Sequence, residues 1–215
     1  MNSLFSYESK FMQTLMQVCD LLVLNLLFLL CSIPIITIGA AQAALHSGIR
    51  QVMNKEDDSS YVKAFFTGFA GGFGKITVAH TLVSLVIFLL LWATGIAAIR
   101  SGNSLPTWMC VVAVSVVIMI HTMLPHFHAH FDCTAFQLIK NSFLMVIAHP
   151  LRSLAAAVLT WIPFGVLLLS VPLFLQCVPL WATLYYGVAF LFCNSIMKKP
   201  LTGLRENFIK EHPVE

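Results

Sequence analysis

The sequence predicts an all-α integral membrane protein: a bundle of five transmembrane helices with a cytoplasmic amphipathic helix. Three observations carry that prediction. Hydrophobic residues make up 59% of the 215 and charged residues 10%, with a mean hydropathy of +0.87. An ordinary soluble domain is roughly 25% charged, and no water-soluble core hides this much apolar surface, so lipid must be the solvent. Long charge-free runs recur along the chain. The basic residues between those runs fall almost entirely on alternate loops.

The spans follow in order. Residues 21–45, between Asp20 and His46, carry no charge. At ~1.5 Å per residue such a run crosses a ~30 Å hydrocarbon core. Pro34, in "SIPIITIG", has no N–H to donate and should kink or end this helix, with Thr37 placed to satisfy a freed carbonyl. Residues 76–99 form a second span between Lys75 and Arg100, and "SGNSLP" (101–106) reads as a turn. A third span covers 107–125. Residues 153–197 lack both charge and histidine. That is too long for one crossing, so spans over 153–171 and 178–197 should meet at the proline-containing "SVPLFLQCVP" (170–179). All five belong to a single transmembrane domain covering the chain.

With the amino terminus outside, the outer loops carry Lys10 and Arg100. The inner face collects Arg50, Lys55, Lys63, Lys75, Lys140, Arg152, Lys198, Lys199, Arg205 and Lys210. This positive-inside asymmetry puts the carboxyl terminus in the cytoplasm. Lys10, the first apolar run and "AQA" (41–43) imitate a signal peptide, but a signal core is usually about 7–15 residues, so cleavage is not expected. Six cysteines show no CxxC and read as small hydrophobes. No basic run suggests nucleic acid.

The larger inner loop runs from His46 to Lys75. In it "KEDDSS" (55–60) reads as a solvated turn, with Ser59 or Ser60 capping the helix that follows. Tyr61, Phe65, Phe69 and Phe73 recur every four residues, with Phe66 beside them. They make one helix face aromatic. That face suits a helix lying at headgroup depth, and it would also serve to dock a partner. "GFAGGFGK" (68–75) is not a phosphate loop, because Phe69 stands where the first Walker glycine belongs and Ile76 where Ser or Thr would hold magnesium. Gly68 and Gly72 form a GxxxG that permits close helix approach.

The second inner loop begins within "HTMLPHFHAHFDC" (121–133). On a helix His126 and His130 would share a face, at a spacing that can clamp a metal; in a strand His126, His128 and His130 would. Asp132 or Cys133 could add a ligand. Imidazoles alternating with phenylalanines also suit the depth where a span leaves the membrane. There water satisfies each ring, and no resident metal is expected. Inside the spans the polar groups are Asn25, His80, His121 and Asn194. No carboxylate falls at mid-membrane, and no hydrolase or metalloprotease pattern occurs. Neither enzymatic activity nor a cofactor is expected.

The stretch "DLLVLNLLFLLCSIPIITIGAAQAAL" (20–45) resembles the first-helix signature of the YesL family, with Asn25, Pro34, Thr37, Ile38, Gly39, Ala40, Ala44 and Leu45 at the matching positions. "LP" (124–125), "HFD" (130–132) and "LIKNSFLMVIAHPLRSL" (138–154) are similar to later family blocks. There Phe131 and Asp132 match and the preceding histidines do not. The resemblance makes Asn25, Pro34, Thr37, Gly39 and Asp132 parts of the scaffold, Asp132 as a cap for a helix starting near Ala135. It implies a small bacterial inner-membrane protein, an accessory subunit of an oligosaccharide ABC importer acting through contacts with the permease subunits. A homo-oligomer is compatible with this. The competing expectation is a stand-alone small-solute transporter or channel.

Overall fold

The computed structural model describes residues 10–54, 60–102 and 104–211. Among them no strand occurs. The elements are α1 (Lys10–Cys31), a 3-10 turn (Ile35–Thr37), α2 (Ile38–Asn54), α3 (Tyr61–Ala70), α4 (Phe73–Ser101), α5 (Leu105–His128), α6 (Ala135–Ala148) and α7 (Pro150–Leu169). Two short helices, α8 (Val171–Gln176) and α9 (Val178–Leu180), lead through a π-helical turn (Trp181–Tyr185) into α10 (Tyr186–Glu211). Among the described residues five helical stretches are long and apolar enough to cross a membrane: Phe11–Cys31, Phe73–Arg100, Leu105–His128, Pro150–Leu169 and Val178–Met197. The protein is a multi-pass, all-α membrane protein. Its outward faces agree, for large apolar side chains such as Phe88, Trp92, Ile99 and Leu151 stand exposed along the spans, as lipid contact requires.

Each element starts where local chemistry starts it. Ser104 precedes α5, with Pro106 in the first turn, and Pro150 opens α7, where a missing N–H costs nothing. Thr134 and Gln137 close a reciprocal capping box on α6. Ser60 precedes α3 without a side-chain cap bond, and Ser59 with the rest of the expected 55–59 turn lies outside the described residues. The long apolar stretch 153–197 breaks after Leu169 and again at Cys177, within the proline-containing segment.

The first expected span is different. Residues 21–45 do not make one helix. The helix begins eleven residues earlier, with Asp20 inside it, and stops at Cys31 before Pro34. The Thr37 hydroxyl donates to the Cys31 carbonyl at 2.5 Å and approaches the Pro34 carbonyl at 2.6 Å. The chain then starts a new helix at Ile38. The charge at Asp20 misplaced the boundary, and the continuous hydropathy across 32–37 hid the break.

The new helix also corrects the reading of residues 46–54 as part of an inner loop. Ala40, Ala41, Ala43, Ala44, Leu45, His46, Gly48 and Ile49 are all buried in α2. Ala40 and Ala43 join the core formed by α4, α5, α6, α7 and α10, while Ala41, Ala44, Leu45 and Ile49 join the core formed with α1, α3 and Phe190. A helix buried on opposite faces sits inside the bundle. Its small side chains allow this: a Cβ on Gly39 would stand 2.6 Å from His80 Cβ.

Candidate functional site

Polar and ionisable groups converge where α5 ends. The helix runs through Pro125, and residues 121–127 are all buried. His121 accepts or donates through Nε2 with Ser84 Oγ at 3.1 Å, its ring 4.2 Å from His80 and 5.6 Å from Trp161. Five residues on, His126 is 1% exposed and its ring lies 3.8 Å from that of His46 on α2. His46 Nδ1 bonds Asn194 Oδ1 on α10 at 2.9 Å, and Phe190 meets the His46 ring edge-on at 4.4 Å. Both ring nitrogens of His126, His46 Nε2 and the Asn194 amide nitrogen are buried without a hydrogen-bond partner.

This corrects the expected hydrated position of the histidines. His126 is turned inward onto His46. His128 Nε2 bonds the Gly71 carbonyl at 2.8 Å, and His130 Nδ1 bonds the His126 carbonyl at 2.9 Å. Their polar atoms go to backbone carbonyls on different elements. Among the described residues no three His, Cys, Asp or Glu side chains group as metal ligands. Gly72 explains part of the packing. Its φ of +77° favours glycine, and a Cβ there would lie 2.5 Å from His128 Cε1.

Asp132 does not cap α6. Thr134 does that, accepting from the Gln137 amide, while Asp132 takes a hydrogen bond from Lys75 Nζ at 2.6 Å. That bond, and then the Lys75 charge, hold the Asp132 carboxyl below its ordinary range. Burial raises the Cys133 thiol above its usual range, which keeps it a thiol and not a nucleophile. Only Cys193 of the six cysteines is fully buried, and Cys19 is exposed.

The aromatic row turns inward as well. Phe65 has no exposed surface and packs on the α1–α2 core; Phe69 and Phe73 are partly buried with rings 5.5 Å apart. Tyr61 faces Asp20 on α1 and bonds it; burial first, and then that carboxylate, keep the phenol above its ordinary range. Phe66 alone of the five, 48% exposed, is free to meet lipid or another protein. Of the expected scaffold residues, Asn25 is buried with Oδ1 accepting from the Gly187 amide at 3.1 Å. Gly39 is pressed on His80, and Pro34 and Thr37 form the reversal after α1.

Two cavities flank the α5 end. One, about 660 Å³, lies between that end and α6, beside Phe131, Asp132, Cys133, Lys140, Asn141 and His149. The other, about 390 Å³, lies between α2, α3 and His128–Ala129. Here the Arg50 guanidinium donates to the Ala129 carbonyl at 2.9 Å.

This geometry runs through the stretch that a known family shares. Residues 21–94 match the family model described as "Protein of unknown function, DUF624". The match covers about a third of the chain, from the buried half of α1 through α2 and α3 into α4. No curated protein and no solved structure matches.

Sequence reasoning missed His46 and Arg50 as partners of the histidine stretch, having used His46 only to end a span. The available signal was an ionisable residue directly following a stretch, 39–45, in which every position but Gln42 is small or apolar, which suits helix contact better than a loop.

Proposed function

We propose that this chain is a YesL-type protein of the bacterial inner membrane, an accessory subunit of an oligosaccharide ABC importer that acts through contacts with the permease subunits and carries no catalysis of its own. The observation that favours an interaction subunit over a stand-alone transporter is the fate of the polar groups inside the bundle. A passage needs polar atoms free to face a solute. Asn25 instead accepts from the α10 backbone, His121 meets Ser84, and Asn194 holds His46. Three of the four residues available to line a path are spent joining helices. The family match over 21–94 includes nearly all of the 20–45 stretch that resembles the YesL family.

The proposed orientation has the amino terminus outside and the carboxyl terminus in the cytoplasm. Two bonds, Arg50 to Ala129 and Lys75 to Asp132, bring basic residues of two segments to one end of the bundle, which supports reading that end as the cytoplasmic one.

The test is affinity purification from the native host in mild detergent, read by mass spectrometry. Permease subunits enriched with this chain are expected; an eluate without them, together with solute flux in liposomes holding this protein alone, would replace the reading with a transporter. A periplasmic signal from a carboxyl-terminal reporter would reverse the orientation.

A further inference from the structure

The cleft between α2, α3 and the end of α5 has an uneven chemistry. Arg50 and Lys63 stand at it, with Ser47, Thr67 and His128, and no described residue lining it is acidic. Its volume, about 390 Å³, suits a small group and not a chain of sugars. Arg50 is fixed in direction by its bond to Ala129 O, which uses one donor of the five a guanidinium offers. Lys63 is exposed across the cleft on α3. His128 Nε2 faces a carbonyl, which only accepts, so Nε2 carries the proton; Nδ1 is buried and has no partner.

Two cations, one of them planar and preoriented, beside the Thr67 hydroxyl are what an ionised phosphate monoester or diester asks for. We propose that this cleft binds a phosphate group, held by Arg50 and Lys63 and received at its rim by Thr67. The same chemistry comes from two sources, the headgroup of an anionic lipid or a free phosphate in solution. Met53, three residues past Arg50 on α2, and Phe66, three past Lys63 on α3, are exposed apolar side chains that give acyl chains a surface to follow, and basic clefts at a bundle end draw anionic headgroups.

The test uses the full chain in detergent, in two arms. In one, native mass spectrometry compares retention of phosphatidylglycerol with that of phosphatidylcholine. In the other, inorganic phosphate is titrated against sulfate while thermal protection is followed. The expected result is preferential retention of phosphatidylglycerol that falls on the order of tenfold in R50Q/K63Q and is unchanged in K140Q, whose lysine lines the other cavity. Protection by inorganic phosphate but not sulfate, without a lipid preference and lost in R50Q/K63Q, assigns the site to a soluble phosphate instead. Because R50Q also removes the bond to Ala129, K63Q alone is run beside it, and protection of the buried Cys193 thiol reports the fold. The proposal is overturned if wild type shows neither preference, or if K140Q loses as much as R50Q/K63Q, which would mean diffuse charge and no site.

Discussion

Helices α2 and α4 are both apolar, and they sit in opposite environments. Helix α4 is rich in Leu, Val, Ile and Phe, yet Leu82, Leu85, Phe88, Leu89 and Trp92 are exposed along it. Helix α2 is the poorer in large hydrophobes, holds a histidine and an arginine, and is buried from Gly39 to Ile49 except at Gln42 and Ser47. In a soluble protein the order would be reversed. In lipid the tails are as apolar as leucine, so hydrophobicity does not sort inside from outside. Close backbone approach does, and it selects glycine and alanine. Residue size decided which helix became the centre of this bundle.

The sharpest way to break that comparison is one substitution made twice. Gly39→Leu drives a side chain into His80, where even a Cβ stands 2.6 Å away. It should destabilise the protein by about 3 kcal/mol and expose Cys193 to thiol reagents well below the wild-type temperature. Gly95→Leu on α4 meets nothing within 4 Å. It should be neutral, or stabilising by up to ~1 kcal/mol because leucine favours helix over glycine. Equal losses at the two positions would mean that α2 is no more central than α4.

The same contrast explains what was legible in the sequence. Charge-free length revealed α4, α5 and α7 to within a few residues, because lipid demands a long apolar run and flanking charges mark its ends. It revealed the break near Cys177, because proline interrupts the helical ladder. It failed at α2, where Ile38–Leu45 reads as the tail of a span and His46–Asn54 as the start of a loop. With α2 unseen, nothing was available to cover the Tyr61–Phe73 row or the His126 ring, so both were expected at the surface. Periodicity tells which residues share a face; it does not tell what covers that face. Asp132 was misassigned for a simpler reason: Thr134 and Gln137 supply a complete capping box two residues later, and Lys75, 57 residues away in sequence, takes the carboxylate.

A smaller effect separates polar contacts in the two regions. Asn25→Leu removes the acceptor of the Gly187 amide, just after the π-helical turn. A buried amide left unpaired should cost about 1 kcal/mol. Thr94→Val on α4 removes only a bond to the helix's own Leu90 carbonyl, and the loss should be no more than ~0.5 kcal/mol. Thermal midpoints in one detergent check both, and a Thr94 loss as large as the Asn25 loss would erase the distinction.

The histidine pair should behave as core. His126 has neither ring nitrogen bonded, so His126→Leu exchanges an unsatisfied buried ring for an apolar side chain and should leave stability within ~1 kcal/mol of wild type, or above it. Elemental analysis of untagged protein should find zinc well below one equivalent. One equivalent, lost in the His126 variant, would make the His46–His126 contact a ligand set.

The smallest expected effect belongs to Lys75 and Asp132, an ion pair at the wet rim, with side chains 45% and 85% exposed. Exposed pairs contribute little and salt screens them. Its sign is nevertheless fixed. The Asp132 carboxyl is held below its ordinary range by Lys75, so the folded state favours the ionised form. Whatever stability the pair supplies is present above the unfolded carboxyl pKa of about 4 and is lost as pH falls through the lower folded value. The difference in thermal midpoint between wild type and Asp132→Asn should therefore be largest near neutral pH in low salt. It should shrink in about 0.5 M salt, where the screening length is only a few ångströms, and vanish in acid. A difference that survives both conditions would come from the asparagine disturbing the turn ahead of Thr134 and not from the lost charge.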